Sequence, residues 1–186
     1  MRRILIIGPP GAGKSTLARR LGAALDLPVI HLDRHFWRPG WVMMGRDAFD
    51  RDVERLLEAD DWVIDGNYQR NLDLRLSRAD TVVYLDCPRW RCLARVAKRI
   101  FTCAVLGGHR PDMPDDCPER VDWEFIEYIW HFDRDTRPPT EACLARWPAV
   151  RRITLRGPAA AEAWLAEMTG SRAPASTASI ALPSPL

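Results

Sequence analysis

The stretch G8-P-P-G-A-G-K-S-T16 follows the apolar run R3-I-L-I-I7 and precedes Leu17, Leu21 and Leu25 at helical spacing. Gly8, Gly13, Lys14 and Ser15 fill the pattern G-x-x-x-x-G-K-[ST]. Glycines let a backbone wrap an anion without Cβ clashes. Successive amide N–H groups then form an anion nest, and the following helix turns its positive end toward the phosphates. Gly8, Gly11, Ala12 and Gly13 are therefore expected to cradle a nucleotide. Lys14 is expected at its β/γ-phosphates, Ser15 on Mg²⁺ and Thr16 at the α-phosphate. A Gly/Pro turn with a chance Lys-Ser is the bland alternative. The strand before the loop and the helix after it argue against that.

The rest of the chain bounds the class. Its 186 residues are 47% apolar, enough for one domain with a real core, expected over 1–170. A net charge of +2 gives no global field for nucleic acid. Five cysteines, an odd number at irregular spacing, do not read as a disulfide framework. The N-terminal apolar run is too short for a secretion signal, and no run is long enough to span a membrane. A reducing cytoplasm is expected. The segment 171–186 is rich in Ala, Ser and Pro and reads as a disordered tail.

Short apolar runs alternate with helical patterns. Pro28–Leu32, Trp62–Ile64, Thr81–Leu85 and Arg151–Leu155 read as further strands. Asp47–Ala59, Arg70–Arg78, Pro88–Phe101, Arg120–Phe132 and Pro158–Met168 read as helices. Such alternation predicts an α/β fold, a five-stranded parallel sheet sandwiched between helices in three layers. Ligands of such sheets bind beyond the C-terminal strand ends. Asp33, Asp65 and Asp86 each fall at a strand end and so share a rim with the phosphate loop. Helix capping is the bland alternative for each. W62-V-I-D-G66 is the arrangement that brings a carboxylate near Mg²⁺, so Asp65 is the candidate metal residue beside Ser15. Arg91, Arg95 and Arg99 recur every four residues on one helix face. A solvated basic stripe explains them blandly, and charge neutralisation on a transferring phosphoryl group explains them functionally.

These motifs carry a resemblance. The chain resembles the adenylate-kinase-like branch of P-loop kinases, and within it the bacterial topology modulation proteins. Over about Arg2–Leu165 the resemblance rests on H31-L-D-R-H-F-W37, P39-G-W41, D61-W-V-I-D-G-N-Y68, Y84-L-D-C-P-R-W-R-C-L-A-R95-V-A-K-R99, R110-P-D-M, C117-P-E and W123-E-F-I-E-Y-I-W130. It implies a nucleoside-monophosphate-kinase-like sheet of order 2-3-1-4-5, with ATP and Mg²⁺ as cofactors. D65-G-N-Y-Q-R70 occupies the place where adenylate kinases dock the acceptor, with Arg70 one residue late. Arg95 and Arg99 match the arginines that flank the lid and bind the transferring phosphates. About 102–119, with Gly107-Gly108, matches the lid, and Arg110, Arg134 and Arg137 are candidate further charges. Some lids of this branch hold zinc; Cys103, His109 and Cys117 lack a C-x-x-C pair and a clear fourth ligand. Leu155-Arg156-Gly157-Pro158 fits a loop that packs on the adenine, which makes Arg156 a candidate nucleotide contact. An ordinary strand-to-helix turn fits it equally.

The acceptor is less legible. Segment 33–60 is the acceptor side in related small-molecule kinases. Asp33 suits orienting an acceptor hydroxyl, and Trp37 and Trp41 suit stacking on a ring. Packing of an irregular segment is the bland alternative for the tryptophans. The expected activity is transfer of the ATP γ-phosphate to a nucleotide or hydroxyl-bearing metabolite. A nucleotide-gated switch and a nucleic-acid-linked protein are the alternatives. No membrane partner is expected, and the oligomeric state is open.

Overall fold

The computed structural model describes residues 1–106, 112–114, 116–118 and 121–170. In chain order, β1 (Arg3–Ile7) leads to α1 (Lys14–Leu25), then β2 (Val29–His31) and the short α2 (Leu32–Phe36). A small hairpin, β3 (Trp37–Arg38) and β4 (Val42–Met43), precedes α3 (Arg46–Leu56) and β5 (Trp62–Asp65). Next come α4 (Leu72–Arg78), β6 (Thr81–Asp86), α5 (Arg89–Leu106), α6 (Trp123–Asp135), α7 (Arg137–Ala145), β7 (Arg151–Arg156) and α8 (Gly157–Gly170).

The main sheet has five strands in the order β2-β5-β1-β6-β7. Counted among themselves, with the hairpin set aside, these strands follow the expected order 2-3-1-4-5. All four pairings are parallel. The sequence reason is plain in β1, where every residue from Ile4 to Ile7 is buried. Leu5 and Ile7 face Trp62, Ile64, Leu76 and Tyr84 on one side of the sheet. Ile4 and Ile6 face Leu17, Leu21, Val83 and Trp164 on the other. A strand covered on both faces reads as a continuous apolar run, and each such side chain contributes about 2 kcal/mol on burial.

Two expectations need correction. The second strand stops at His31 rather than Leu32, because Leu32, fully buried, opens α2. Asp33 thus sits in the first turn of a short helix instead of a strand-end loop. The helix α7 was not expected behind Pro138-Pro139. Its prolines stand in the first turn, where their missing N–H groups cost nothing. The expected lid over about 102–119 falls largely outside the described residues, including Gly107, Gly108, His109 and Arg110. The expected tail 171–186 lies wholly outside them.

Asp80 fastens the sheet at its base. Its carboxylate accepts the backbone N–H of Arg2 at 2.7 Å and of Arg3 at 2.9 Å, and the Thr81 hydroxyl at 2.7 Å. Burial works to raise its pKa, but these hydrogen bonds outweigh burial and hold the carboxyl below its ordinary value. A carboxyl held low adds stability that is full above its unfolded pKa of ~3.9 and is lost as pH falls through the folded value. Asp80→Asn is expected to cost about 1–2 kcal/mol at neutral pH and to reduce the acid sensitivity below about pH 4. Urea unfolding at the two pH values checks both.

Candidate active site

Gly13 enters α1 at φ 103°, and no side chain caps that helix. Its first-turn N–H groups therefore point to the loop's concavity, which suits an anion. Gly8, at φ 140°, lies so close to β6 that a Cβ there would sit 2.4 Å from the Leu85 carbonyl oxygen. Only glycine fits. The Gly8 N–H donates to Asn67 Oδ1 at 3.1 Å, which ties the loop to the end of β5. Lys14 Nζ donates to the carbonyls of Gly8 at 2.9 Å and Pro9 at 3.1 Å, so the ammonium lies across the loop.

A cavity of about 1080 Å³ opens at these strand ends. One wall carries Gly11, Ala12, Gly13, Lys14, Ser15 and Thr16, with Arg95 and Arg99 from α5. The other carries Asp33, Trp37, Trp41, Asn67, Tyr68 and Gln69, with Asp65 between the two. That volume lies just above the range of small-molecule sites, on the order of 300–1,000 Å³, and suits two ligands.

Asp65 is 4% exposed and its Oδ1 lies 2.5 Å from His31 Nδ1. The register explains the pair, since His31 and Asp65 are direct neighbours across β2 and β5. Tyr68 donates its hydroxyl to Asp33 Oδ1 at 2.7 Å. Burial, with the Asp33 charge second, pushes the Tyr68 phenol far up, so Tyr68 is a fixed donor. Its ring packs against Phe36 and Phe49, with centroids 5.0 and 4.8 Å away.

The loop that carries Asn67 and Tyr68 is held from beneath by Arg75, which is fully buried. Its guanidinium donates to the carbonyls of Gly66 at 2.8 Å, Asn67 at 2.5 Å, Tyr68 at 2.9 Å and Asn71 at 3.4 Å. Burial lowers the Arg75 pKa to about 10, so the group stays charged at neutral pH. No pattern in R70-N-L-D-L-R75 separates this arginine from a surface one; only the helical offset from Leu72 and Leu76 hints at burial. Arg75→Met is expected to destabilise the protein by about 3 kcal/mol, because the loop carbonyls lose their donors in a dry site. Thermal unfolding checks this.

Arg95 donates to the Ala12 carbonyl at 2.9 Å and to that of Gly11 at 3.4 Å, which joins α5 to the phosphate loop. Arg91 does not line the cavity; its guanidinium lies 4.9 Å from the Trp90 ring. The i, i+4 stripe turns away because the cavity spans only the last two of its three members. Arg70 is also elsewhere, paired with Asp47 at 3.0 Å and Asp50 at 2.6 Å on α3. Arg134 pairs with the adjacent Asp135, and Arg137 with Asp86 and Asp133, so neither lines the cavity. Arg156, the candidate nucleotide contact, is not among the residues that line the cavity. β7 passes straight into α8 without a loop, and the Arg156 side chain is 86% exposed, 3.8 Å from Asp86. Pro158, Ala161 and Glu162 of α8 line the cavity instead. Cys117 is buried against the Arg38 carbonyl at 3.4 Å, while His109 lies outside the described residues.

Sequence reasoning passed over Asn67, Gln69 and Tyr128. Gln69 is pinned by the Thr140 hydroxyl at 2.7 Å. Burial raises the Tyr128 phenol, against hydrogen bonds with Asn67 and Thr136 that lower it. Their position after β5 and on the aromatic α6 was the available signal.

Residues 4–104, more than half of the chain, match the AAA domain family model. The chain belongs to the AAA domain family. This AAA domain is 31% identical to the shikimate kinase of Rhodococcus jostii (strain RHA1) over 120 residues, 57% of this chain and 71% of that one. It is 35% identical to the adenylate kinase of Mycobacterium leprae (strain Br4923) over 81 residues, 43% of this chain and 42% of that one. A shikimate kinase from Acinetobacter baumannii, solved in complex with shikimate, overlays with a TM-score of 0.58 at 18% identity, covering 92% of this chain and 95% of that one. That overlay shows a shared kinase-type P-loop fold. No helix among the described residues is long and apolar enough to cross a membrane.

Proposed function

We propose that this AAA domain is an ATP-dependent kinase that moves the γ-phosphate to a hydroxyl of a small-molecule acceptor, with residues 1–170 as the working unit. One observation carries the reading. A single cavity sets the phosphate loop, Asp65 and two arginines of α5 opposite a wall that carries Asp33.

The loop amides and Lys14 bind the donor phosphates. Ser15 and Asp65 would hold Mg²⁺; a carboxylate only 4% exposed in the cavity of the P-loop serine fits a divalent cation. Bound Mg²⁺ neutralises charge on the β- and γ-phosphates. His31 orients the Asp65 carboxylate. Arg95 and Arg99 place positive charge where the transferring group's equatorial oxygens develop it. Asp33 accepts the acceptor hydroxyl's hydrogen bond beside Tyr68 and takes up its proton as the new P–O bond forms and the bond to ADP breaks. Five free cysteines and dependence on ATP suit a reducing cytoplasm.

The finer placement, beside the topology modulation proteins, rests on the motifs around His31–Trp37, Asp61–Tyr68 and Trp123–Trp130. ADP formation from ATP·Mg²⁺ across nucleosides, nucleotides and hydroxylated metabolites tests the activity. An acceptor that raises turnover by orders of magnitude is expected. A flat rate across a broad panel would favour a nucleotide switch.

A further inference from the structure

We infer that Tyr68 is a positioning residue for the transfer: its hydroxyl, carried by a strained turn, aims the Asp33 carboxylate at the acceptor hydroxyl. This rests on the kinase reading above, in which Asp33 takes the acceptor's proton. Tyr68 has φ 26° and ψ 76°, a backbone conformation that costs a tyrosine energy and that glycine adopts freely. The turn alone therefore does not call for a tyrosine. The cluster with Phe36 and Phe49 calls for a ring, which phenylalanine would supply as well. What remains is the hydroxyl, and it donates to Asp33 Oδ1 at 2.7 Å. Backbone strain of this kind gathers where a site holds a group in place.

The surroundings over-determine that turn. Arg75 donates to the carbonyls of Gly66 at 2.8 Å, Asn67 at 2.5 Å and Tyr68 at 2.9 Å. The Asn71 N–H donates to the Tyr68 carbonyl as well, at 3.3 Å. On its other side the loop lies against α2 itself. A Cβ on Gly66, at φ 137°, would sit 2.9 Å from the Cβ of Leu32, the residue before Asp33. Asn67 Oδ1 accepts the Gly8 N–H at 3.1 Å. One loop is thus fixed to the phosphate loop, to α2 and to a buried arginine, and it delivers the phenol to Asp33 with little freedom.

The chemistry gives this bond a use. A general base works when its oxygen meets the hydroxyl at about 2.6–3.2 Å. Asp33 stands in the first turn of a five-residue helix, where its side chain has more than one staggered rotamer to choose from. The phenol selects one. Burial, with the Asp33 charge second, holds the phenol far above its ordinary pKa, so Tyr68 stays the donor and Asp33 the acceptor. A carboxylate accepts on both oxygens, so it can hold the phenol and an acceptor hydroxyl at once. In the transfer the acceptor's proton passes to Asp33, the acceptor oxygen bonds to phosphorus and the bond to ADP breaks. The phenol keeps its own proton throughout.

The test is a double-variant cycle on the full chain, with ATP·Mg²⁺ and the acceptor that best stimulates ADP formation. Tyr68→Phe keeps the ring in its cluster and removes the hydroxyl alone. It is expected to lower kcat on the order of tenfold and to leave the KM for ATP within about twofold. Asp33→Asn is expected to lower kcat by ~10²-fold or more. Adding Tyr68→Phe to Asp33→Asn is expected to lower kcat no further, because a residue that acts through Asp33 then has nothing to aim. Losses that multiply in the double variant would overturn the inference and give Tyr68 a role apart from Asp33. An unchanged kcat in Tyr68→Phe would overturn it too, as would a rise in the KM for ATP that matches the fall in kcat. In each of these cases the kinase reading stands. If the unaltered chain phosphorylates no acceptor, the kinase reading fails and the inference falls with it.

Discussion

Lys14→Ala is expected to lower acceptor phosphorylation by ~10³-fold or more while leaving the fold intact. The ammonium lies across the loop, donating to the carbonyls of Gly8 and Pro9, in the same cavity as Ser15 and Asp65. It is the one lysine that lines the cavity among the described residues. Its charge acts in a partly dry cleft, where a fixed cation is worth far more than in water. The loss falls on kcat more than on the thermal midpoint, because α1 buries Leu17, Ala18 and Leu21 and not Lys14. Steady-state kinetics beside a melting curve would check it. Near-normal turnover in a folded variant would remove Lys14 from the chemistry.

Arg99→Ala is expected to lower kcat by ~10²–10³-fold and to weaken ATP binding only a few-fold. Arg95→Ala should behave differently. Arg95 donates to the carbonyls of Ala12 and Gly11, so its removal also loosens the donor loop and costs ATP affinity together with kcat. Transition-state charge neutralisation and loop support are thus separable on one helix. Equal losses of kcat and ATP affinity in Arg99→Ala would assign Arg99 to ground-state binding instead.

Much of the fold is legible because strand burial writes itself plainly. β1, β5 and β6 are covered on both faces, so each reads as an apolar run, which stops at Gly8, Asp65 and Asp86 respectively. β7 is weaker in sequence for a physical reason: it is one of the two edge strands, and Leu155 is its one buried residue. The donor half of the site was equally visible, since a phosphate loop must be local in sequence. The acceptor half was not. Tyr68 reaches Asp33 across 35 positions, and Gln69 reaches Thr140 across 71. Such contacts have no period and no motif. Arg75 shows the same limit, because charge on a helix predicts exposure until four carbonyls are found around it. Arg156 shows the converse. The run from Leu155 to Pro158 holds the residues of a turn, yet Gly157, at φ 79°, turns the strand directly into α8 and leaves the arginine outside.

The most direct test of the central claim follows the γ-phosphate itself. ATP labelled at that position is mixed in single turnover with the full chain, Mg²⁺ and the acceptor that best stimulates ADP formation. The label is expected on an acceptor hydroxyl at the rate ADP appears, with Lys14→Ala abolishing both. Label found only as inorganic phosphate, at a rate the acceptor does not change, would contradict a kinase.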